Sequence, residues 1–397
     1  MNVLKISLKN ILNKPLYSVL SILSLSFSIA LLFGIQQLDA LIQEQLNKNI
    51  GKVDMVIGAK GSPLQLVLSS VLHLDNPTGN ISYAEAKEIS RNPMIGKAIP
   101  ISYGDNYKGY RIVGTTKDFD ELYELKLTEG RLVNKSMEVV LGSSVAALAE
   151  LKIGDSFESS HGLTENSVEV HKHQPLRVVG IYQSTGTVVD QLIITNLQSV
   201  WDVHDHSGNE NENINDKEIT SMLISFRNPM GLLTMPRQIN QRTAFQAALP
   251  KFELERLFSF TGVGVKTIAV IAYVILVISC LFIFLSLFKM VRERAFDLAL
   301  MRTYGATNGQ LVIIVALEGL LLVLVSLAIG YVLSRLGLFF ALSEMQIGNN
   351  QNYLMGASFK LLLSSVIPIM IISALAIVLA IIPILKMNVS KILNREI

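Results

Sequence analysis

Residues 267–288 read TIAVIAYVILVISCLFIFLSLF, held between Lys266 and Lys289. A helix crossing the ~30 Å of bilayer hydrocarbon needs roughly 20 consecutive apolar residues, and this run supplies them without a charge. Three more runs share that character. One extends from Leu16 to Gln36, with no charge between Lys14 and Asp39. Another covers Leu311–Leu333, interrupted only by Glu318. The last, Leu361–Leu385, lies between Lys360 and Lys386 and contains Pro368 and Pro383. The composition agrees: half of the 397 residues are apolar, only 17% are charged, and the mean hydropathy is +0.44. Soluble domains are usually nearer a quarter charged. The net charge of +2 is too small to imply a nucleic-acid partner.

Basic residues in short flanks set orientation. Lys5, Lys9 and Lys14 precede the first span; Lys289, Arg292, Arg294 and Arg302 separate the second from the third; Lys386, Lys391 and Arg395 follow the fourth. The connection from Ser334 to Gly356 carries Arg335 alone. Both termini are therefore expected in the cytoplasm of a multi-pass membrane protein. A cleaved signal peptide is the competing reading of the first span. Its run exceeds the usual 7–15 residues, and Gln36-Gln37-Leu38-Asp39 offers no small-residue cleavage site. The mixture of Leu4, Ile6, Leu8, Ile11 and Leu12 with Lys5 and Lys9 suits a short interfacial helix.

The expected fold class is membrane α-helical, with four transmembrane helices and a large α+β extracytoplasmic domain between helices 1 and 2. Its parts are an interfacial segment over 1–15, spans at 16–36, 263–288, 311–333 and 361–385, an outer domain over 37–262, a cytoplasmic connector over 289–310, an external loop over 334–360 and a tail over 386–397. The outer segment is long enough for its own core. It must hold together without a disulfide, because the only cysteine is Cys280. Strands are expected at 54–57, 110–113, 138–141, 177–181 and 191–194, where β-branched residues end at turns. Helices are expected over Ser82–Arg91, with Ser82 as cap and Glu85 three residues on, over Ser143–Leu151, and over Arg237–Arg256 leading into the second span. The Asn-rich acidic stretch His204–Asp216 reads as a mobile loop.

Several chemistries are excluded. There is no phosphate-binding G-x-x-x-x-G-K-[ST] loop, since Gly51-Lys52 is followed by Val53 and Gly96-Lys97 by Ala98. Gly58-Ala59-Lys60-Gly61-Ser62-Pro63 reads as a tight turn rather than a phosphate cradle. Neither G-x-S-x-G nor H-E-x-x-H occurs, so no enzyme is expected, and no catalytic residue is assigned. Glu318 is the one ionisable group well inside a span. It either bonds a neighbouring helix as a coupling residue or snorkels and caps loose amides.

The connector Met290–Thr307 (MVRERAFDLALMRTYGAT) reads as a helix stopped at Gly305, because glycine readily takes the left-handed turn after a helix. It is either an amphipathic connector on the membrane or a docking helix for a cytoplasmic partner. Arg294, Leu298, Ala299, Leu300, Met301, Arg302, Gly305, Ala306 and Thr307 resemble the signature R-x-x-E-I-[GA]-[IL]-[LM]-[RK]-A-[LIM]-G-A-[ST] of FtsX/MacB-type ABC transporter permeases, with Asp297 for the usual Glu and Thr303 for the usual Ala. Glu318 matches the acid common early in that family's third helix. Leu8–Pro15 and Pro383–Leu393 are similar to its opening and closing segments. The outer segment resembles a branch carrying Gly58–Leu66, Pro77–Ile81 and Thr185–Asp190.

That resemblance implies a permease subunit in the bacterial cytoplasmic (inner) membrane, working with a cytoplasmic ABC ATPase, which would hold the ATP. It also implies a homodimer and mechanical transmission to the outer domain, for export or extraction of a hydrophobic, lipid-like or peptide substrate. Arg294, Asp297, Leu298, Met301, Arg302 and Gly305 are the coupling candidates, and a periplasmic adaptor or outer-membrane protein is a further candidate partner. Spans nearly free of charge fit such a system, since they offer no polar path. Two other classes stay open: a scaffold regulating a cell-wall hydrolase, and a sensor paired with a kinase.

All six histidines are assigned outside. His171-x-His173 and His204-x-His206 each place two imidazoles on one face of a strand, and with His161 they raise a zinc-handling, metal-linked reading. Polar loops commonly expose histidine, and spacing alone defines no tetrahedral site.

Overall fold

The computed structural model describes residues 7, 9–11, 15–159, 175–204, 217–344 and 359–385. It comprises two compact units, one of residues 1–42 with 261–397 and one of residues 43–260.

The first unit is helical. Helices Pro15–Ile50, Pro250–Glu293, Asn308–Glu344 and Phe359–Leu385 contain the four stretches long and apolar enough to cross a membrane, within 15–50, 266–293, 308–341 and 365–382. Lipid tails are as apolar as leucine, so such helices associate through close packing and hydrogen bonds rather than by escaping water. Leu25, Ile29, Leu276, Ile283, Leu322 and Ile369 form the interior. The hydroxyl of Ser279 lies 2.8 Å from those of both Ser24 and Ser28. Ser26 Oγ donates to the Ser326 carbonyl at 3.2 Å. The first and third long helices cross closely at Gly330, where a Cβ would lie 2.7 Å from Ile29 Cγ2 and 2.9 Å from the Ser26 carbonyl oxygen. Ile271, Val274, Ile278, Leu281 and Leu285 point outward, as a lipid-facing surface requires.

The second unit is built on a mixed ten-stranded sheet. Its strands are β1 (Met55–Ala59), β3 (Ile95–Tyr107), β4 (Tyr110–Thr115), β5 (Leu127–Gly130), β6 (Glu138–Leu141), β7 (Ser156–Phe157), β8 (Leu176–Tyr182), β9 (Ile193–Asn196), β11 (Ser221–Phe226) and β12 (Phe245–Ala248), with β2 (Ile81–Ser82) and β10 (Glu218–Ile219) paired separately. The order is β12-β1-β11-β3-β4-β9-β6-β8-β5, with β7 on β8. β4 with β9 and β6 with β8 are the parallel pairs. Successive side chains leave opposite faces of a strand, and here both faces are covered. Val56, Val113, Val140 and Leu223 enter one core, which includes Leu66 and Val67 of helix Pro63–Ser70. Met55, Ile57, Met222 and Ile224 enter a second, beneath helices Tyr83–Ser90 and Met230–Arg242. Ile112, Val139, Leu141 and Ile193 enter a third with Val145.

The five expected strands correspond to β1, β4, β6, β8 and β9, and Ser82 Oγ accepts from the Glu85 amide at 3.4 Å as the expected cap. The continuous helix expected over 237–256 is not found. Helix Met230–Arg242 ends at an extended Thr243, and β12 pairs antiparallel with β1 before a new helix begins at Pro250. Phe245-Gln246-Ala247-Ala248 has weak strand propensity, but pairing with β1 and burial of Phe245 and Ala247 override it. The first helix also continues past residue 36, through polar residues, until Gly51 takes a positive φ of 57°.

Candidate functional site

The second long helix ends at Glu293, and a nine-residue helix, Ala295–Thr303, follows Arg294 directly. Its stop is a complete glycine cap. The Gly305 amide donates to the Arg302 carbonyl at 3.1 Å and the Ala306 amide to the Met301 carbonyl at 3.0 Å, with Gly305 at φ +97°. Thr307 then starts the third long helix through a reciprocal capping box: Gln310 N donates to Thr307 Oγ1 at 3.3 Å, and Thr307 N to Gln310 Oε1 at 3.0 Å. Two tight local signals therefore fix the short helix between the spans.

Glu318 lies within the third helix and is 1% exposed. A buried carboxylate is costly unless it is paired and hydrogen-bonded. Here Oε1 accepts from Asn10 Nδ2 at 2.5 Å and lies 3.6 Å from Arg294 Nη1. Ser7 Oγ adds a bond to the Ile314 carbonyl at 3.2 Å. The amino-terminal segment, the short helix and the third span thus meet at one acid. The contacts of Glu318 run to neighbouring segments of the same unit, Asn10 and Arg294. A cavity of about 360 Å³ opens beside it, lined by Arg294, Met301, Tyr304 and Ile314 among others.

The coupling candidates divide by direction. Leu298 is 6% exposed and turned inward with Ala299, Met301 packs against the bundle interior, and Arg294 faces Glu318. Asp297 is exposed, Arg302 is half-buried, and Gly305 is the helix stop. The outward apolar stripe is instead Phe296 (37% exposed), Leu300 (39%) and Tyr304 (84%). Their spacing of four residues puts them on one helix face, a pattern legible in the sequence but not weighted there. Asn10 carried no sequence signal, because its partner lies some three hundred residues away.

In the outer unit, Gly58 and Ala59 end β1, and the tight turn is confined to Lys60–Ser62, leading into helix Pro63–Ser70, which Ser62 caps by accepting at Oγ from the Gln65 amide at 3.4 Å. A Cβ at Gly58 would lie 2.4 Å from Leu66 Cδ1, so a side chain there would require the buried Leu66 to shift. Thr185–Asp190 folds around the Asp190 carboxylate, which accepts from the amides of Thr185 and Gly186 at 2.9 and 2.8 Å. Gln45 and Asn49 hold this loop, through the Gly186 carbonyl at 2.6 Å and the Val188 amide at 3.0 Å. His73 is buried, with Nδ1 2.7 Å from the Tyr103 hydroxyl. Burial and the nearby Arg111 hold its pKa down to about 3, so the imidazole is neutral. His161, His171, His173 and His206 lie outside the described residues, as does the side chain of His204, which ends helix Leu197–His204. Among the described residues no group of three or more His, Cys, Asp or Glu side chains is placed to hold a metal ion.

Comparison with known proteins follows this division. The FtsX-like permease C-terminal family matches residues 269–389, and the MacB-like periplasmic core domain family matches residues 18–239. A search of curated sequences finds no match. Among solved structures, the periplasmic region of MacB from Actinobacillus actinomycetemcomitans is similar at 14% identity, over 53% of this chain and 95% of that one, with a TM-score of 0.35. The extracellular domain of the noncanonic ABC-type transporter YknZ from Gram-positive bacteria is similar at 11% identity, over 49% of this chain and 98% of that one, with a TM-score of 0.31. With one family covering more than half of the chain and the other covering the spans beyond it, this multi-pass membrane protein belongs to the FtsX/MacB-type ABC transporter permeases.

Proposed function

We propose that this permease carries ATP-driven motion from a cytoplasmic ATPase to its outer domain, with both termini in the cytoplasm, and so exports or extracts a hydrophobic, lipid-like or peptide substrate. Permeases of this type work with a cytoplasmic ABC ATPase on a separate subunit. The observation that carries the proposal is the helix Ala295–Thr303. Its inner face is fixed by Leu298, Ala299 and the Arg294–Glu318 pair, while Phe296, Leu300 and Tyr304 form an exposed apolar stripe, two of whose members, Leu300 and Tyr304, also border the cavity beside Glu318. The ATPase docks on that stripe and on the exposed Asp297 beside it, with Arg302 on the adjoining face.

Two features support transmission through the helices. Pro15–Ile50 and Pro250–Glu293 are each one continuous helix. The four spans carry few charges, which disfavours a hydrated path across the bilayer. The working form is a homodimer, and a periplasmic adaptor or outer-membrane protein receives the substrate. Arg302→Glu and Asp297→Lys each reverse a charge on the short helix. Both variants should insert normally yet recover much less of the ATPase in a pull-down than wild type. Recovery at wild-type levels by both removes the docking assignment.

A further inference from the structure

The connection from Ser334 to Gly356 carries one basic residue, Arg335. It belongs to the third long helix, Asn308–Glu344, near the end far from the short helix. Its Nε and Nη2 both donate to the Tyr331 hydroxyl at 3.1 Å, and its guanidinium lies 5.2 Å from the centroid of that ring. Tyr331 is held in turn by an edge-on contact with Phe33 of the first helix, with ring centroids 6.2 Å apart. A guanidinium carries five N–H donors. Two bond Tyr331, and the others have no partner among the described residues.

The acids of the helical unit are badly placed to neutralise this cation. Arg335 forms no ion pair among the described residues, and residues 345–360 contain neither Asp nor Glu. Glu344 follows at a distance of roughly 13 Å along the helix axis. Asp39 comes six residues after Phe33 and five after Gly34, the residues that meet Tyr331 and Ser334. That spacing turns it about 120–140° away from the third helix.

Depth adds a second constraint. Leu311 is the first apolar residue of the third helix, and roughly 20 residues of hydrocarbon counted from it end near Tyr331. Tyrosine is favoured at that boundary. Arg335 stands about 6 Å further on, within the headgroup layer that carries the lipid phosphates. Val332 and Leu336 beside it are apolar and exposed, as contact with acyl chains requires.

Arginine recognises phosphate through two parallel N–H bonds, and an unpaired charge among apolar side chains is costly until an anion reaches it. We infer that Arg335, positioned by Tyr331, binds the phosphate of an anionic phospholipid in the leaflet opposite the short helix. A headgroup without an ammonium is preferred, because nothing in it competes with Arg335 for the phosphate. The site lies within the helical unit. It depends neither on ATPase docking nor on which compartment the short helix faces.

The test is quenching of tryptophan by dibrominated lipids, with the full chain reconstituted in phosphatidylcholine bilayers. Trp201→Phe removes the one natural tryptophan, and Leu336→Trp places a reporter beside Arg335. Dibrominated phosphatidylglycerol should associate with this reporter about fivefold more strongly than dibrominated phosphatidylcholine, the factor expected of one basic side chain near an anionic lipid. Arg335→Gln should remove that preference, and Arg335→Lys should keep part of it. Neither should alter a distant reporter, Ile278→Trp, at an exposed position within the second span. Val332→Trp repeats the measurement if Leu336→Trp folds poorly. A preference that persists in full in Arg335→Gln overturns the inference, as does the absence of any preference at the reporters beside Arg335. Loss of the preference in inorganic phosphate, but not in chloride of equal ionic strength, would assign a soluble phosphate to Arg335 and overturn lipid binding.

Discussion

Replacing Glu318 by Gln and Arg294 by Met, singly and together, tests whether the acid in the third span ties the short helix to the bundle. Charges 3.6 Å apart attract by roughly 4–5 kcal/mol at an effective dielectric of 20. Desolvation opposes much of that, because Glu318 is 1% exposed. The expected coupling energy in the double-mutant cycle is therefore about 1–3 kcal/mol. Gln retains an acceptor for Asn10, so the cycle isolates the ionic part. Ala instead strands Arg294, whose side chain is 19% exposed, and should cost about 3–5 kcal/mol. The molecule provides its own reporter. Cys280 is the sole cysteine, 3% exposed and packed in the bundle interior near Ser373. Where opening is fast relative to labelling, the labelling rate of a buried thiol follows the population of opened bundle. A coupling of 1–3 kcal/mol corresponds to a labelling factor of roughly 5 to 150. Rate changes that add to within about 0.5 kcal/mol would show that the two side chains act independently, and the tie would be refuted.

Two further outcomes follow from packing and charge. Gly330→Ala places a methyl group 2.7 Å from Ile29 Cγ2 and 2.9 Å from a backbone oxygen, so overpacking of about 1–3 kcal/mol should accelerate Cys280 labelling; an unchanged rate would mean the crossing can spread freely. In the outer unit, Glu138 is 9% exposed and accepts from Arg131 at 2.7 and 2.5 Å and from the amides of Asn134 and Lys135 at 3.0 and 3.1 Å. With the Arg131 bonds as the largest cause, its pKa falls from 4.5 to about 2. Because the folded value is the lower one, its stabilisation is complete above about pH 4.5 and lost as pH falls through about 2. The shift corresponds to at most about 3 kcal/mol, and roughly 2 allowing for solvent at half-exposed Arg131. Glu138→Gln should lower the urea midpoint at pH 7, read from the single tryptophan, Trp201, with the difference narrowing toward pH 3. A pH-independent difference would contradict the assignment.

The spans and the helix stop were legible because their causes are local. Long uncharged runs meet the hydrocarbon requirement by themselves, and Gly305 and Thr307 act within five residues of the turn they make. β4, β6 and β8 were visible for the same reason, as short β-branched runs between turns. Edge strand β12 was not, since Phe245–Ala248 becomes a strand only through β1, nearly two hundred residues away in sequence. The candidate site followed the same rule. The connector was legible as a helix, but the directions its residues face were not: Leu298 and Met301 pack inward, and Phe296, Leu300 and Tyr304 are exposed. The pairing of Glu318 with Asn10 and Arg294 is tertiary, and no spacing could reveal it.

The central claim is that the short helix between the second and third spans presents its outer stripe to the ATPase. A photo-crosslinking amino acid at Tyr304, which is 84% exposed, tests it in intact membranes. Illumination should join the chain to a nucleotide-binding ATPase, and the same amino acid at Lys108 in the outer unit should not. An ATPase adduct from position 108 with none from position 304 would contradict both the docking face and the orientation.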